Sequence, residues 1–431
     1  MLVEQIMMVA MGTSDTIMVT HVGEFALAAV NMIDNINNLL IIAFTSLSTG
    51  GAVVVSQYMG RRDFSNSRLA AKQLMYVAVL VSVVMTLVAV FARRHLITIL
   101  YGHVEADVME AAAVYFLFTA LSYPFLSMYT ASSALFRSTG NSSVPMRISL
   151  FVNILKVAAN VALIYFLNMG VFGAALSTLV SRMIGAAIAF VLLYRNPNSP
   201  VSLAGMFNIN IAVSMIRNIC NVGIPSALEG SMFMVGRILT QKIFVIFGTA
   251  AMAANAVASV VNSLSFMPGT ALGITLTVVV GQCVGAGDYA EAKRQTARIV
   301  KIAYIFIFAV SGATYIFMDQ LVGIFKLSEE AHALAITFLR VHCFSMAIGW
   351  GMSFCLPNAL RAAGDAKFVM YVAVISMWIS RVASAYFFVF VLNIGPLGVW
   401  LAMGADFVVR GISYFLRWRR GKWQSKRVIA D

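Results

Sequence analysis

Three carboxylates lie inside stretches that are otherwise apolar: Asp15 in "MGTSDTIMV", Glu229 in "SALEGSMFM" and Asp406 in "LAMGADFVV". An ionised group at membrane depth is costly, so such residues face a protein interior and commonly serve an ion or substrate path. Loss of water disfavours the charged form of a carboxylate, which lets it exchange a proton near neutral pH. Surrounded by other oxygens, the same group could hold Na⁺. Asp15 is the leading candidate for this chemistry, the alternative being a structural carboxylate held by a nearby base. Asn153, Lys156 and Asn160 follow a spacing of three and then four residues, which puts them on one helix face. If that face meets the helix of Asp15, Lys156 neutralises the acid and the amides order the site; otherwise Lys156 snorkels toward water.

The remaining candidates read as substrate path or gate. Glu229 stands one turn after Pro225, where it either satisfies helix-start amides or locks an inner gate. Arg237 lies two turns deeper. Asn255 and Asn262 are two turns apart and share a face. Asp406 and Arg410, four residues apart, form a natural helical ion pair, with Arg381 as a second partner. A structural pair is the favoured reading of Asp406, and substrate binding the sharper one.

Long apolar helices must position these groups. The chain has 431 residues, 61% of them hydrophobic and only 11% charged, with a mean hydropathy of +0.88. Those values define a polytopic membrane protein. Apolar runs long enough to span a bilayer fall near 2–21, 33–58, 74–92, 111–133, 148–167, 172–194, 224–247, 253–284, 299–318, 333–357, 368–391 and 397–416. When the loops are assigned alternately to the two sides, 20 of the 30 basic residues fall on one side, and only Arg93, Arg94 and Lys326 on the other. The excess of Lys and Arg in cytoplasmic loops then puts both termini inside. The net charge of +13 therefore reflects orientation and anionic lipid, not nucleic acid. The four cysteines have neither disulfide-framework nor metal spacing. The first apolar run reads as a span rather than a cleavable leader.

"VVVSQYMGRRD" (53–63) matches "VVVGQCVGAGD" (278–288) at six of eleven positions, an offset of 225. At that offset Gly23 meets Gly248, Asn37 meets Asn262, and "LNMGVFG" (167–173) meets "LNIGPLG" (392–398). At 224, Arg137 and Gly140 meet Arg361 and Gly364. The expected fold is an all-α polytopic membrane protein, with twelve transmembrane helices in two six-helix lobes related by a pseudo-two-fold along the membrane normal. The expected domains are an N-lobe at 1–194, a cytoplasmic linker at 195–222 lying along the membrane surface, a C-lobe at 223–418 and a basic cytoplasmic tail at 419–431. Glu229 is the twin of Glu4, and Pro225 aligns just before Met1, so the first helix is expected to be truncated, with the natural start upstream. Asp15 falls on Thr240 and has no acidic twin, which favours a cation site in the N-lobe alone.

The chain resembles the multidrug and toxic compound extrusion (MATE) transporters over essentially its whole length. The resemblance rests on "SDTIMVTHVGEFALAAV" (14–30), "QYMGRRD", "QCVGAGD", "ALFRSTG" (134–140), "ALRAAGD" (359–365), "GVFGAALST" (170–178) and the closing "GVWLAMGADFVVRGISYFLRWRRGKW" (398–423). It implies a secondary antiporter that exports small organic, often cationic, compounds from a bacterial inner membrane in exchange for H⁺ or Na⁺. The first-helix aspartate of the family's N-lobe cation site carries over to Asp15, where Na⁺ is one expected ligand. The chain departs from the family at Asn160, where an acid is frequent, and at Lys156. Phe233 and Trp350 stand where some relatives place C-lobe acids. No organic cofactor is expected, and a monomer is the expected state. The alternatives are a lipid-linked precursor flippase of the same superfamily and, more distantly, a prenyltransferase-like membrane enzyme. The enzyme would need paired Asp motifs for Mg²⁺, and no loop carries one.

Overall fold

The computed structural model describes residues 18–20, 22–102 and 105–429. Asp15 and Glu4, most of the first predicted span and the question of the native start lie outside them. Apolar sequence that cannot satisfy its backbone from lipid must close its own hydrogen bonds, and helices do so. The described helices, in chain order, are α1 (Glu24–Gly60), α2 (Phe64–Tyr101), α3 (Ala106–Leu121), α4 (Tyr123–Ser138), α5 (Ser143–Phe166) and α6 (Gly170–Tyr194). They continue with α7 (Val213–Ile246), α8 (Gly248–Gly285), α9 (Tyr289–Ile316), the short α10 (Met318–Gly323), α11 (Glu329–Ala362), α12 (Ala366–Val391) and α13 (Leu397–Arg419). Nine helices among the described residues are long and apolar enough to cross a bilayer, and the α3–α4 pair adds a tenth, bent span. The chain is an all-α polytopic membrane protein. It divides into two compact units, Met1–Gly223 and Ile224–Asp431.

The internal repeat is written into the backbone at the turns. Arg62 and Gly287 both adopt positive φ, 61° and 78°. So do Asn168 and Asn393 (50° and 53°), Gly170 and Gly395 (53° and 73°), and Gly140 and Gly364 (81° and 97°). Asp63 and Asp288 each cap the following helix, accepting from the backbone N–H of Asn66 at 3.0 Å and of Glu291 at 2.8 Å. The Asn66 N–H and side chain, together with nearby Arg61, hold the Asp63 carboxyl below the usual carboxylate range.

Two expectations from sequence change in detail, and the structure adds a third feature. The fourth span (111–133) is not one rod, because α3 and α4 meet at 44° around Ser122. Pro124 supplies no N–H to continue the ladder, and Arg182 of α6 donates to the Ser122 hydroxyl at 2.7 Å. The segment at 195–222 belongs to the first unit. Arg68 donates to the Ser199 carbonyl at 3.2 Å, Gln73 to the Asn210 carbonyl at 2.6 Å, and Ala212 N–H to the Gln73 amide oxygen at 3.2 Å. Its last residues already form α7, so that helix starts well before the apolar run near 224. The basic tail folds back onto α9. Trp423 stacks on Trp418 at 4.1 Å, and Arg427 donates to the Tyr289 hydroxyl at 2.9 Å.

Candidate functional site: an arginine-lined cavity in the second unit

In the first unit, Asn153, Lys156 and Asn160 are all buried on one face of α5. Asn160 accepts a hydrogen bond from the Ser177 hydroxyl of α6. The Asn153 amide nitrogen has no hydrogen-bond partner among the described residues. Directly after Asn160 the helix widens into π-helical turns over Val161–Phe166, a distortion that often accompanies functional positions. An acid missed from sequence lies on α1: Asp34, ten residues into its helix rather than at the membrane edge. Its carboxylate accepts from Asn37 at 3.3 Å and from the Tyr115 hydroxyl at 3.4 Å, and Asn37 accepts from Tyr123 at 2.7 Å. The available signal was its position one turn before Asn37, which the repeat had singled out.

The second unit sorts its acids into ion pairs. Glu229 of α7 receives both of its bonds from one Arg361 nitrogen of α11, each at 2.7 Å, and Arg361 also donates to Asn358 at 3.0 Å. Asp406 of α13 is fully buried and accepts from Arg410 at 2.8 and 2.5 Å and from the Ser376 hydroxyl at 2.6 Å. The Arg381 guanidinium stands 3.8 Å from the same carboxylate. Breaking such a pair would leave a buried charge uncompensated, so the cluster fixes α12 against α13.

Beside this cluster lies a cavity of about 280 Å³ within the second unit. Four of the sequence candidates converge on it: Arg237, Asn255, Asn262 and Arg381. Asn255 and Asn262 share the α8 wall with Ser259, Ser263, Phe266 and Thr270, a spacing that keeps one helical stripe turned inward. Glu229 and Asp406 are not among its lining residues. The sequence reading did not anticipate the aromatic wall. Phe266, Trp350 and Phe354 stack at 5.4 and 5.2 Å, and Trp400 closes another side. Arg381 lies over the Phe233 ring at 5.1 Å, and Arg410 lies over the Phe233 and Phe354 rings at 5.4 and 5.6 Å.

Packing holds this wall in place. Gly269 lies under the Trp350 indole, where any Cβ would overlap the ring. Gly349, Gly404 and Gly411 form a small-residue seam between α11 and α13, which lets the backbones approach closely. Around Trp350, α11 adopts π-helical turns over Met346–Cys355, and α12 does the same over Met377–Ala383 around Arg381. Buried His342 meets Phe266 and Trp400 edge-on at 6.1 and 5.7 Å. Among the described residues, no three His, Cys, Asp or Glu side chains converge as a metal site.

A duplicated helical membrane protein with a polar, aromatic-walled cavity inside one half has the build of a solute transporter. The MatE family model matches the chain twice, over residues 1–162 and 225–387, so the repeat is one family unit used two times. The chain belongs to the MatE family and is a transporter rather than an enzyme. It is 28% identical over 425 residues to an uncharacterized transporter, YisQ, of Bacillus subtilis, covering 96% of this chain and 91% of that one. It is 25% identical over 437 residues to a probable multidrug resistance protein, NorM, of Thermotoga maritima, covering 99% and 91%. Among solved structures, a MATE protein crystallised in the bent conformation superposes with a TM-score of 0.91 at 19% identity, covering 97% of this chain and 92% of the other. Its fold of twelve spans in two lobes is the fold of this chain.

Proposed function

We propose that the protein is a secondary efflux transporter that exports small organic compounds by alternating access, driven by inward movement of H⁺ or Na⁺. The observation that carries this reading is the double family match spanning both halves of the chain. The probable multidrug resistance protein from Thermotoga supports export of drugs or toxic compounds as the activity. The basic loops support a plasma membrane location with both termini cytoplasmic. Asp15 is the proposed coupling acid, with Asn153, Lys156 and Asn160 as its helix-five neighbours; the burial of those three on one face supports the assignment. Cation binding must favour one conformation over the other to drive exchange. One charge crossing 100 mV supplies about 2.3 kcal/mol, and each pH unit about 1.4 kcal/mol per proton. One cation can therefore sustain roughly a fiftyfold gradient of a neutral substrate from 100 mV alone, and roughly 500-fold when a proton also moves down one pH unit.

The test is efflux of fluorescent organic ions, one cationic and one anionic, from proteoliposomes under separately imposed Na⁺ and pH gradients. Efflux of at least one dye should follow one of the two gradients and stop when an ionophore collapses it. Release that ignores both gradients would sink the antiport reading.

A further inference from the structure

We infer that the cavity of the second unit is an anion-selective substrate site that takes a small aromatic carboxylate, with Arg237 and Arg381 as its charge-recognising residues. The inference rests on the transport reading above and names its substrate class. Two guanidinium groups line this space, and no carboxylate lines it among the described residues. Asp406 stands 3.8 Å from Arg381 but is bonded directly by Arg410 and Ser376, so one acid is shared between two guanidinium groups and none is left for Arg237. Arg237 is exposed and makes no ion pair among the described residues, so one full charge stands available in the cavity. An organic cation entering here would meet two like charges. The aromatic faces that would welcome it are partly taken, since Arg381 and Arg410 already lie over Phe233 and Phe354.

The other lining groups fit the same ligand. Behind the lining, Trp350 Nε1, Trp400 Nε1 and Arg381 Nε are fully buried and have no acceptor among the described residues. Phe266 and Phe354, which cluster with the buried Trp350 ring, offer apolar lining to an aromatic system. A cavity of about 280 Å³ suits one or two fused rings with a single acid group. Planar guanidinium forks recognise a carboxylate through two parallel bonds, which adds geometric selection to charge.

The experiment measures equilibrium binding of naphthalene-2-carboxylate to the full-length protein in nanodiscs. Naphthalene-2-methylammonium serves as the charge-reversed probe of similar size. The wild type should bind the carboxylate at least tenfold more tightly than the ammonium. Arg237→Gln should weaken carboxylate binding tenfold or more, and Arg237→Lys should keep much of it. Asn255→Asp, which introduces a carboxylate into the same lining, should weaken the anion and strengthen the cation, giving a second route should Arg237→Gln fail to fold. Melting temperatures of all variants establish that they are folded. Equal or tighter binding of the ammonium by the wild type overturns the proposal. So does unchanged carboxylate affinity in folded Arg237→Gln. Efflux is read separately in proteoliposomes. Charge-selective binding without gradient-driven efflux supports the site and overturns the transport reading. Gradient-driven efflux without charge-selective binding overturns the site alone.

Discussion

Lys156 and Arg381 occupy the same place in the two halves of the chain, on the fifth helix of each, at the repeat offset of 225. Both are buried cations followed by the same Val-Ala pair. Their surroundings differ. Lys156 sits between two asparagines on a helix face with no acid of its own. Arg381 borders an aromatic cavity and shares Asp406 with Arg410. Asp406 itself corresponds to Ser181 in the first half, as Asp15 corresponds to Thr240 in the second. Duplication has kept a cation in place in both halves, while the acids differ in helix and in number. The turns show the opposite behaviour, since four pairs of equivalent turn residues described above keep positive φ. Backbone geometry constrains turns through sterics that few residues satisfy, whereas a buried charge needs only some partner within reach.

The strongest test of this contrast is Asp406→Asn. It strands Arg410 and Arg381 without a counter-charge and should cost about 3–5 kcal/mol, read as a large drop in melting temperature in detergent. Ser181→Asn, at the equivalent place in the first half, should cost far less. A similar loss for both would mean that the two halves use this position alike.

Next in size are the twin glycines. Gly364→Ala should cost about 2–3 kcal/mol, because the new Cβ is both strained at φ 97° and driven into the backbone of the returning tail at Lys426. Gly140→Ala meets nothing within 4 Å and should lose only the strain, about 1 kcal/mol. Equal losses in unfolding experiments would remove the tail from the packing.

Glu229→Gln removes the counter-charge from part-buried Arg361 and should cost about 2 kcal/mol. A double-mutant cycle with Arg361→Gln should recover a coupling of similar size, and independent, additive losses would contradict a working pair. The smallest effect belongs to Arg62→Gly. It releases a non-glycine residue from φ 61° where its twin is already glycine. A stabilisation of about 0.5 kcal/mol is expected, and destabilisation would show that the Arg62 side chain contributes more than its backbone costs.

The repeat, the spans and the shared face of Asn255 and Asn262 were legible in the sequence because each is a matter of spacing along the chain. The cavity was legible only in pieces. Its walls come from α7, α8, α11, α12 and α13, and a helix that is apolar nearly all round does not announce which side turns toward a site. In the sequence Trp350 stands only at an expected acid position, and nothing in the order of residues says that it packs against both Phe266 and Phe354. Asp34 was passed over because the apolar run begins beside it, although the helix starts at Glu24. The bend at Ser122 was signalled by Pro124, but its filling by Arg182 depends on a helix 60 residues away in sequence.

The division of labour between the halves is tested most directly by carrying Asp15→Asn and Arg237→Gln through two assays side by side: gradient-driven efflux from proteoliposomes and naphthalene-2-carboxylate binding in nanodiscs. Asp15→Asn should abolish the dependence of efflux on the Na⁺ or pH gradient while leaving carboxylate affinity within about twofold of wild type. Arg237→Gln should weaken carboxylate binding tenfold or more while any remaining efflux still follows the gradient. Full coupled efflux by Asp15→Asn, or loss of carboxylate binding in that variant, would contradict a coupling acid in the first half and a substrate cavity in the second.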